Sequence, residues 1–558
     1  MYVRGPFRSH PVVGLLVGLL AMLFTTTAGA ASWGSWWSGG GGTSEPLLVT
    51  TSYGKLQGKT DQAGGMREFL GIPYAAPPVG RLRWRPPRSP APWSGVRDAT
   101  QFAPHCAQAP SFFGRASSTE NCLYLNVFTP TDPSPRARGY PVMVWIHGGG
   151  LTSGESNDYI PTALVRQGVI VVTINYRLGL FGFLAEPALD SENHPSVNYG
   201  FMDQQAALRW VQQNIADFDG QPHNVTIFGE SAGGLSVLAQ MTSPGASGLF
   251  DKAIVQSGSY GSIVPSLSAA EQQGKTFASS VGCDKATPAR TAACLRALPV
   301  STVLGHQPAL VEPAVDGTIL PRQIEQSFLT GQFHRVPFLQ GTNHDEMRLF
   351  VAAEFDLNPA QGPVQADQYQ SVVASLIGPD VAPQVVRKYP LSNYPSPDLA
   401  VASLWTDYAF ACPASALDLG AGLYTPTYAY EFNDRNAPEL FLPPVSFPYG
   451  AAHASELQYL FTLPQSRPLS SGQQQLSRDM VRYWTNFARH GNPNGRDTPY
   501  WAPDIAGSVL QSLVPPSPRA EYGLSFAADH KCLFWTGIAL QTGALTGGGG
   551  SIPGAGGS

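Results

Sequence analysis

Residues 225–234 read VTIFGESAGG, a mostly apolar run of four residues followed almost at once by a serine set between glycines. The apolar run predicts a buried strand, and the pattern GxSxG around Ser231 predicts a sharp turn from that strand into a helix. A serine on such a turn needs neighbours without a Cβ atom, which Gly229 and Gly233 provide. The stretch therefore predicts a nucleophilic serine whose hydroxyl stands clear of the sheet edge.

A second glycine cluster, His147-Gly148-Gly149-Gly150, follows another apolar run at residues 141–146. A loop of this composition after a strand is typical of sites that hold a negatively charged oxygen with backbone N–H groups. Either cluster alone is compatible with an ordinary turn. The two together favour a catalytic site built at the ends of two strands.

Short apolar runs recur along the chain and alternate with helical segments. The predicted strands cover residues 142–146, 169–174, 225–228, 253–256, 336–339 and 427–432. Residues 201–218 and 476–489 carry apolar side chains three or four positions apart, which predicts helices, and residues 47–59 predict an opening hairpin with Gly54 at its turn. The alternation predicts an α/β fold with a mostly parallel central sheet and helices on both faces, in one domain over residues 46–540.

The nucleophile requires two partners. A serine hydroxyl reacts poorly at neutral pH, so Ser231 needs a histidine base and an acid that orients the imidazole, and with such a turn these follow in the order serine, acid, histidine. The loop after the predicted strand at residues 336–339 carries both Asp345 and Glu346, and the residues alone leave that choice open. Among the later histidines, His453 in the loop GAAHASE best suits the base.

Several further motifs make the chain resemble the type B carboxylesterases, a family that includes the cholinesterases and some fungal lipases. These motifs are FLGIPYA at residues 69–75, ENCLYLN at residues 120–126, NYR at residues 175–177 and QSGS at residues 256–259. The resemblance covers roughly residues 46–537. It implies an α/β-hydrolase fold, with a mostly parallel central sheet, helices on both faces and large loop and helical insertions.

The resemblance also implies residue roles. It places the nucleophile at Ser231, the acid at Glu346 and the base at His453. The implied oxyanion hole consists of the backbone amides of Gly149, Gly150 and Ala232. The reaction implied is ester hydrolysis through an acyl-enzyme, with no cofactor and no metal; the cluster His344, Asp345 and Glu346 is not predicted to hold an ion, because no second ligand set follows it.

The chain departs from the family pattern at two places. The family usually has glycine after the base, where this chain has Ala454, and the family's FGGDP before the nucleophile strand appears as FDGQP at residues 218–222. Both departures concern loop geometry and leave the catalytic residue types in place.

The chain has six cysteines, and its amino terminus predicts export, as described below; cysteines of exported proteins usually form disulfides. The absence of a CxxC motif gives a zinc site no support. Proximity in the sequence and the resemblance together imply three bridges. The predicted pairs are Cys106 with Cys122, Cys283 with Cys294, and Cys412 with Cys532.

The two ends of the chain differ from its centre. Arg4 and Arg8, the apolar residues 12–24 and the small residues Ala28-Gly29-Ala30 predict a secretory signal peptide over residues 1–30. Residues 31–45 and 541–558, rich in glycine, predict a flexible lead-in and a disordered tail. We therefore expect a secreted protein without stable membrane insertion after signal cleavage.

Composition narrows the ligand class. Only 13% of the residues are charged and the formal net charge is −5, so no basic field is present to hold nucleic acid. Family members that bind choline place a tryptophan in the first disulfide loop, whereas this loop offers Phe112 and Phe113 beside Arg115, which would oppose a cation.

These features favour a general carboxylesterase for small-molecule esters over a cholinesterase. Two alternatives stay open: a lipase or polyester hydrolase of the same fold, and a non-enzymatic binding or adhesion protein, as some relatives are. The sequence does not indicate the physiological ester or the oligomeric state.

Overall fold

The computed structural model describes residues 47–135, 138–190, 197–308 and 311–542, which all fall in one unit that begins at Pro46. The predicted signal peptide and lead-in lie outside these residues. The last described helix runs through Thr542, two residues into the predicted tail, and the rest of that tail also lies outside.

Thirteen strands of the described residues form one sheet. The strands are β1 (Leu47–Thr51), β2 (Gly54–Asp61), β3 (Met66–Pro73), β4 (Val96–Asp98), β5 (Tyr124–Pro130), β6 (Tyr140–Ile146), β7 (Ile170–Ile174), β8 (Gly220–Glu230), β9 (Lys252–Gln256), β10 (Phe338–Asn343), β11 (Thr427–Phe432), β12 (Val509–Leu513) and β13 (Arg519–Tyr522). Their order in the sheet is β1-β2-β3-β5-β7-β6-β8-β9-β10-β11-β12-β13, with β4 paired to β2.

The centre of the sheet is parallel, as predicted. Strands β7, β6, β8, β9, β10, β11 and β12 pair in parallel, and antiparallel strands extend the sheet at both edges. Every residue of β6, β9, β10 and β11 is buried. Because both faces of these strands are covered, their sequences are apolar runs or runs whose polar side chains form hydrogen bonds. The opening hairpin is also confirmed, with Thr51 opposite Gly54 in the β1–β2 register.

Helices cover the sheet on both faces. The α-helices are α1 (Thr162–Val165), α2 (Gly179–Phe183), α3 (Pro187–Asp190), α4 (Tyr199–Asn214), α5 (Ala232–Thr242), α6 (Leu267–Ser280), α7 (Pro288–Arg296), α8 (Val300–Gly305), α9 (Ile324–Leu329), α10 (Arg348–Val351), α11 (Tyr369–Ile377), α12 (Ala382–Lys388), α13 (Pro397–Thr406), α14 (Cys412–Gly422), α15 (Ser471–His490), α16 (Gly523–Asp529) and α17 (Cys532–Thr542). Short 3₁₀ turns lie at Gly80–Leu82, Ser156–Asp158, Ile215–Phe218, Pro244–Ala246, Ser259–Gly261, Leu391–Asn393 and Leu457–Tyr459, and π-helical turns at Ala352–Asp356 and Asp407–Ala411.

The alternation of side chains along β6 shows how the two faces are filled. Val144 belongs to one buried cluster together with Leu208 of α4 and Val237 of α5. Its neighbour Trp145 points to the other face, where it belongs to a cluster with Met480 of α15. Successive residues of a strand point to opposite faces, so each central strand contributes to both cores.

Element boundaries differ from the predictions for identifiable reasons. The strand predicted at 336–339 begins only after Pro337, which has no N–H to donate, and continues to Asn343. The helix predicted at 476–489 begins at Ser471, because Ser470 and Gln473 form a capping box. The predicted helix 201–218 divides into α4 and a 3₁₀ turn.

The remaining predictions about architecture concern cross-links and insertions. The three disulfides join Cys106 to Cys122, Cys283 to Cys294, and Cys412 to Cys532, as the resemblance implied. Five α-helices, α10 to α14, form the helical insertion between β10 and β11. In the described ranges, no helix combines the length and the apolar character needed to cross a bilayer.

Candidate active site

The predicted nucleophile lies on a sharp turn between β8 and α5. Ser231 has φ 56° and ψ −123°, a backbone conformation that costs about 1–3 kcal/mol and persists only where the surroundings impose it. The surroundings here are two close approaches of backbone. A Cβ atom on Gly233 would overlap the carbonyl oxygen of Ile146, and one on Gly229 would lie 2.5 Å from the carbonyl carbon of Gly233. The glycines of the motif are therefore required by the packing of the turn against β6.

The glycine loop after β6 lies directly beside this turn. Gly149 and Gly150 have φ values of 96° and 62°, which favour glycine, and a Cβ atom on Gly149 would overlap the carbonyl of Ser153. His147 holds the start of the loop in place, because its ring stacks on Tyr176 with ring centroids 4.6 Å apart. Burial lowers the pKa of His147 to about 4, so the ring is neutral and its Nδ1–H donates to the Gly148 carbonyl at 2.9 Å.

Glu346 follows β10 and is completely buried. Its Oε1 atom accepts two hydrogen bonds of 2.8 Å, one from the Thr342 hydroxyl and one from the backbone N–H of Asn343. Its Oε2 atom lies 2.6 Å from Nδ1 of His453, which donates to it. The carboxylate is thus held from one side by β10 and orients the imidazole from the other.

Asp345, the other acid that the residues alone left open, points elsewhere. Its Oδ1 atom lies 2.9 Å from the Arg348 guanidinium, and its Oδ2 atom accepts the backbone N–H of Ala451 at 3.0 Å. The ion pair and the hydrogen bond of Asp345 hold the loop that carries His453. The Glu346 carboxylate instead contacts the His453 ring itself.

The imidazole of His453 is buried between two aromatic rings. The ring centroids of Phe350 and Phe410 lie 5.0 Å and 5.3 Å from the imidazole centroid. The backbone N–H of His453 donates to the backbone carbonyl of Glu346 at 3.2 Å. The Nε2 atom lies 3.1 Å from Oε1 of Glu230, outside hydrogen-bond geometry. The ring is therefore fixed on its Nδ1 side, while Nε2 faces the nucleophile turn.

The predicted site residues converge on one cavity. Its volume is about 360 Å³, and its lining includes Ser231, His453, Gly149 and Gly150. Ala232 begins α5 directly after the nucleophile. The predicted nucleophile, base and oxyanion loop thus meet at a single opening, with Glu346 directly behind the base.

Three buried carboxylates surround the imidazole and change its proton affinity. Burial opposes a charged ring, but the negative charges of Glu230, Glu346 and Glu456 outweigh it and raise the pKa of His453 to about 9. Burial, together with the charges of Glu456 and Glu346, raises the pKa of Glu230 to about 8 against the opposing effect of His453. Glu230 and His453 are therefore coupled, because the charge of each changes the proton affinity of the other.

Sequence reasoning quoted Glu456 within the histidine loop but gave it no role. Its two oxygens accept from Gln256 at 3.0 Å and from Asn343 at 2.7 Å. Gln256 in turn accepts from the Trp484 indole at 3.0 Å, and Asn343 donates to the Ala452 carbonyl at 2.8 Å. This network fastens the histidine loop to β9, β10 and α15. A glutamate three residues after the base is the sequence signal that could have identified it.

Both departures from the family pattern lie at residues with left-handed backbone. Asp219 has φ 67° and Ala454 has φ 64°, where the family usually has glycine. Aspartate tolerates this conformation better than most residues, and its carboxylate is also held 2.6 Å from Arg67. Ala454 is buried directly after the base, and its conformation costs roughly 1 kcal/mol relative to glycine.

The first disulfide loop forms one wall of the cavity. Phe113 packs against Phe441 with centroids 5.2 Å apart, and Phe112 is 45% exposed at the opening. Arg115 lies 3.1 Å from the buried carboxylate of Glu155. Because this carboxylate offsets the charge of Arg115, the repulsion of cations that the sequence suggested is weaker than predicted.

A group of two histidines and one glutamate lies outside the set of residues that line the cavity. His344, Glu431 and His530 bring potential ligand atoms within 4.8 Å of one another. However, His530 donates to Asp407 at 2.6 Å and is held 2.8 Å from Glu431, so both of its nitrogens carry protons. A metal ligand needs a deprotonated nitrogen, and the arrangement described is that of an ion-paired imidazolium.

Comparisons with known proteins show what the chain is similar to. A model of the carboxylesterase family matches residues 45–511. The chain is 35% identical to an acylcarnitine hydrolase of Mus musculus over 483 residues, which cover 81% of this chain and 84% of the relative. It is 34% identical to a cocaine esterase of Homo sapiens over 500 residues, 84% of this chain and 87% of the relative. A medium-chain fatty acyl-CoA hydrolase precursor of Anas platyrhynchos is 34% identical over 491 residues, 81% and 86% of the two chains.

Proposed function

The chain belongs to the carboxylesterase family, and from this premise we propose that it cleaves esters through a triad of Ser231, His453 and Glu346 and a covalent acyl-enzyme. It is a carboxylic ester hydrolase, like the relatives named for that activity. The observation that carries the triad is the 2.6 Å contact between Glu346 and His453, behind a cavity that Ser231 and the glycine loop share with the imidazole.

Acylation begins with attack of the Ser231 hydroxyl oxygen on the ester carbonyl, while His453 Nε2 accepts the hydroxyl proton. Among the described residues Nε2 has no hydrogen-bond partner and lies 3.1 Å from Oε1 of Glu230, so the hydrogen bond from the Ser231 hydroxyl is not formed in this structure. Such catalytic contacts commonly tighten only when substrate binds. Glu346 holds the correct tautomer and stabilises the imidazolium that forms.

The negative charge that develops on the carbonyl oxygen needs hydrogen-bond donors. We assign this role to the backbone N–H groups of Gly149, Gly150 and Ala232, which flank the serine on two sides. Losing one such donor typically lowers kcat by about 10² to 10³. The rigid geometry of the glycine loop supports the assignment, because these donors must be in place before the charge appears.

Collapse of the tetrahedral intermediate releases the alcohol and leaves an ester on Ser231. The proton on His453 passes to the departing alkoxide oxygen. Water then attacks the acyl carbonyl, gives its proton to His453, and the serine recovers a proton as the carboxylic acid leaves. The sequence consumes one ester and one water and yields one alcohol and one acid.

Neutral esters with an apolar alcohol are the substrates that the cavity suits best. Its walls include Phe113, Phe350, Phe441 and Leu457, and the first disulfide loop provides no tryptophan for a choline group. The names of the relatives cover acylcarnitine, cocaine and fatty acyl-CoA substrates, which share a cleavable acyl carbonyl rather than one alcohol. We therefore propose broad carboxylesterase activity.

Lipase activity is the second candidate, because Phe112 exposes an aromatic ring at the cavity opening. Hydrolysis of emulsified tributyrin, measured against a soluble short-chain ester at equal ester concentration, separates the two. A rate jump above the solubility limit of tributyrin indicates a lipase, and a rate that saturates below that limit indicates an esterase.

We also propose that the protein is exported. The predicted signal peptide and the three disulfides support this assignment, since such bridges persist mainly in oxidising compartments.

The triad is tested by covalent labelling with a fluorophosphonate reagent. We expect the wild-type protein to be labelled and the Ser231→Ala variant to remain unlabelled, with mass spectrometry placing the adduct on Ser231. The Ser257→Ala variant is the matched control, because Ser257 is also a buried serine at positive φ but does not line the cavity. An adduct on the Ser231→Ala protein would disprove the nucleophile.

A further inference from the structure

A second, smaller cavity adjoins the main cavity at Gly150. Its volume is about 30 Å³, and Gly150 belongs to the lining of both cavities. The other residues that line it are Leu151, Leu235, Tyr260, Gly261, Ile263, Val264, Val311, Glu312 and Pro313. Tyr260 lies near Ser231, and Leu235 lies one helical turn after Ser231 and donates its backbone N–H to the Ser231 carbonyl at 2.8 Å, so the small cavity borders the nucleophile turn.

The position of the base determines which part of an ester faces each cavity. His453 gives a proton to the departing alcohol, so the alcohol must lie on the His453 side of the carbonyl. The described lining of the main cavity includes His453, whereas that of the small cavity does not. With the carbonyl oxygen held at Gly149 and Gly150, the acyl group extends in the opposite direction, toward Tyr260.

The chemistry of the small cavity is unusual for a pocket that receives a hydrocarbon chain. Among its described lining residues, Glu312 alone carries a charge, and the rest of the wall is apolar apart from the Tyr260 hydroxyl. Burial alone raises the pKa of Glu312 to about 7, and no described lysine or arginine offsets it. A carboxylate taken from water in this way is stabilised most by a hydrogen-bond donor.

The volume limits what can enter. A water molecule needs roughly 10–15 Å³ measured in the same way, so the cavity admits only about two or three non-hydrogen atoms at the end of an acyl chain. A short acyl group fits, and a long fatty chain would have to lie in the main cavity instead.

Resting on the proposed ester hydrolysis and on this direction of the acyl group, we propose that Glu312 makes the small cavity select short acyl groups bearing a hydrogen-bond donor. The donor is a hydroxyl or an ammonium group on the acyl chain near the carbonyl. Glu312 is a specificity-determining residue in this assignment: it does not touch the reacting bonds.

Three matched phenyl esters test the proposal: butyrate, 3-hydroxybutyrate and 3-aminobutyrate. The measured quantity is kcat/KM of each substituted ester divided by that of the butyrate at pH 8. We expect the Glu312→Leu variant to lower at least one of these two ratios by roughly tenfold to a hundredfold, the loss typical when a charge-assisted hydrogen bond to substrate is removed. The inductive effect of the substituent on ester reactivity cancels when the same ratio is compared between variants.

The Glu354→Leu variant is the matched control. Burial alone also raises the pKa of Glu354, but Glu354 lines neither cavity, so its replacement is expected to leave both ratios unchanged. The substituent in the affected ratio shows whether the donor is the hydroxyl or the ammonium group. Ratios equal in wild type and Glu312→Leu would overturn the proposal, as would an equal fall in both ratios for Glu354→Leu.

Fluorophosphonate labelling and butyrate hydrolysis separate this inference from the proposed function. A wild-type protein that neither reacts with the reagent nor cleaves the butyrate contradicts ester hydrolysis itself. Labelling with unchanged ratios overturns only the role of Glu312. Should Glu312→Leu fail to fold, Glu312→Ala takes its place, because alanine also lacks both acceptor oxygens; retention of both ratios in that variant would equally overturn the assignment.

Discussion

The Nε2 atom of His453 lies 3.1 Å from the Oε1 atom of Glu230, the residue directly before the nucleophile. This contact joins the predicted base to a carboxylate that is itself buried and whose pKa is raised to about 8. The two groups therefore compete for one proton in the pH range where the enzyme must work. Glu230 is thus adjacent to Ser231 in the sequence and adjacent to His453 in the structure.

Replacing Glu230 with glutamine should shift the pH profile. The negative charge of Glu230 favours the protonated imidazole and helps to raise the pKa of His453 to about 9, so its removal lowers that pKa. The base acts in its neutral form, and the acidic limb of kcat/KM should move to lower pH by about one unit. The measurement is kcat/KM for a soluble ester between pH 5 and 10, with Glu325→Gln as a control, because Glu325 is a half-buried carboxylate whose pKa is also raised by burial. A limb that stays in place would contradict the coupling.

The two candidate acids are expected to differ sharply. Glu346→Gln keeps the size of the side chain but removes the charge that orients and stabilises the imidazolium, and we expect kcat/KM to fall by about 10³ to 10⁴. Asp345→Asn loses a pair with Arg348 and should lower kcat/KM by less than about tenfold. Steady-state kinetics of both purified variants decide the matter, and a larger loss in Asp345→Asn would reverse the assignment.

Gly233→Ala should destabilise the protein, because the added methyl group would overlap the Ile146 carbonyl beneath the nucleophile turn. Overpacking of this kind costs about 1–3 kcal/mol or more. Gly537→Ala is the matched control: a Cβ atom there meets nothing within 4 Å, and alanine in an exposed helix is worth up to about 1 kcal/mol. Thermal unfolding should show a lower midpoint for the first variant and an equal or higher one for the second. Equal midpoints in Gly233→Ala and wild type would refute the steric argument.

Stability at alkaline pH should depend on His530. Burial opposes its charge, but the hydrogen bonds to Asp407 and Glu431 raise the pKa of His530 to about 10. This value is above the ordinary pKa of about 6.5 for an unfolded histidine, so the stabilisation is complete below that pH and is lost as pH rises through about 10. His530→Gln removes the cation that lies between Asp407 and Glu431, although Lys531 stays 3.6 Å from Asp407. The free energy of unfolding at pH 7 should therefore fall by about 3–5 kcal/mol.

Denaturant unfolding of wild type and His530→Gln between pH 6 and 10 measures this dependence. The difference in unfolding free energy between the two proteins should shrink as the pH approaches 10. A difference that is constant over the whole range would contradict a protonated imidazole in the native state.

Much of the architecture could be predicted because the signals are local. The strand at residues 427–432 was placed within its observed bounds, Thr427–Phe432, since every residue of this run is buried in the parallel centre of the sheet. The residues proposed as partners of Ser231 were predicted from strand order and the family resemblance. What local patterns could not indicate was the antiparallel edge, because the pairing of β3 with β5 depends on residues about sixty positions apart.

Networks of side-chain hydrogen bonds were the other feature that local sequence patterns could not predict. Glu456, Gln256 and Trp484 come from three distant segments, and nothing in their local sequences indicates that they meet. The role of Glu312 is hidden in the same way, because a carboxylate in a loop predicts solvent exposure unless the fold buries it. Such contacts follow from the packing of whole elements and not from the period of any one segment.

Ser231, Glu346 and His453 follow β8, β10 and β11, which stand within four consecutive positions of the sheet. Neighbouring strands are about 4.8 Å apart, so the strands that hold the serine and the base are separated by roughly 14 Å. The long segment after β11 must cross that distance to deliver its imidazole. Substrate preference can therefore diversify by changes in that crossing segment and its neighbours, while the strands keep the reacting atoms at constant separation.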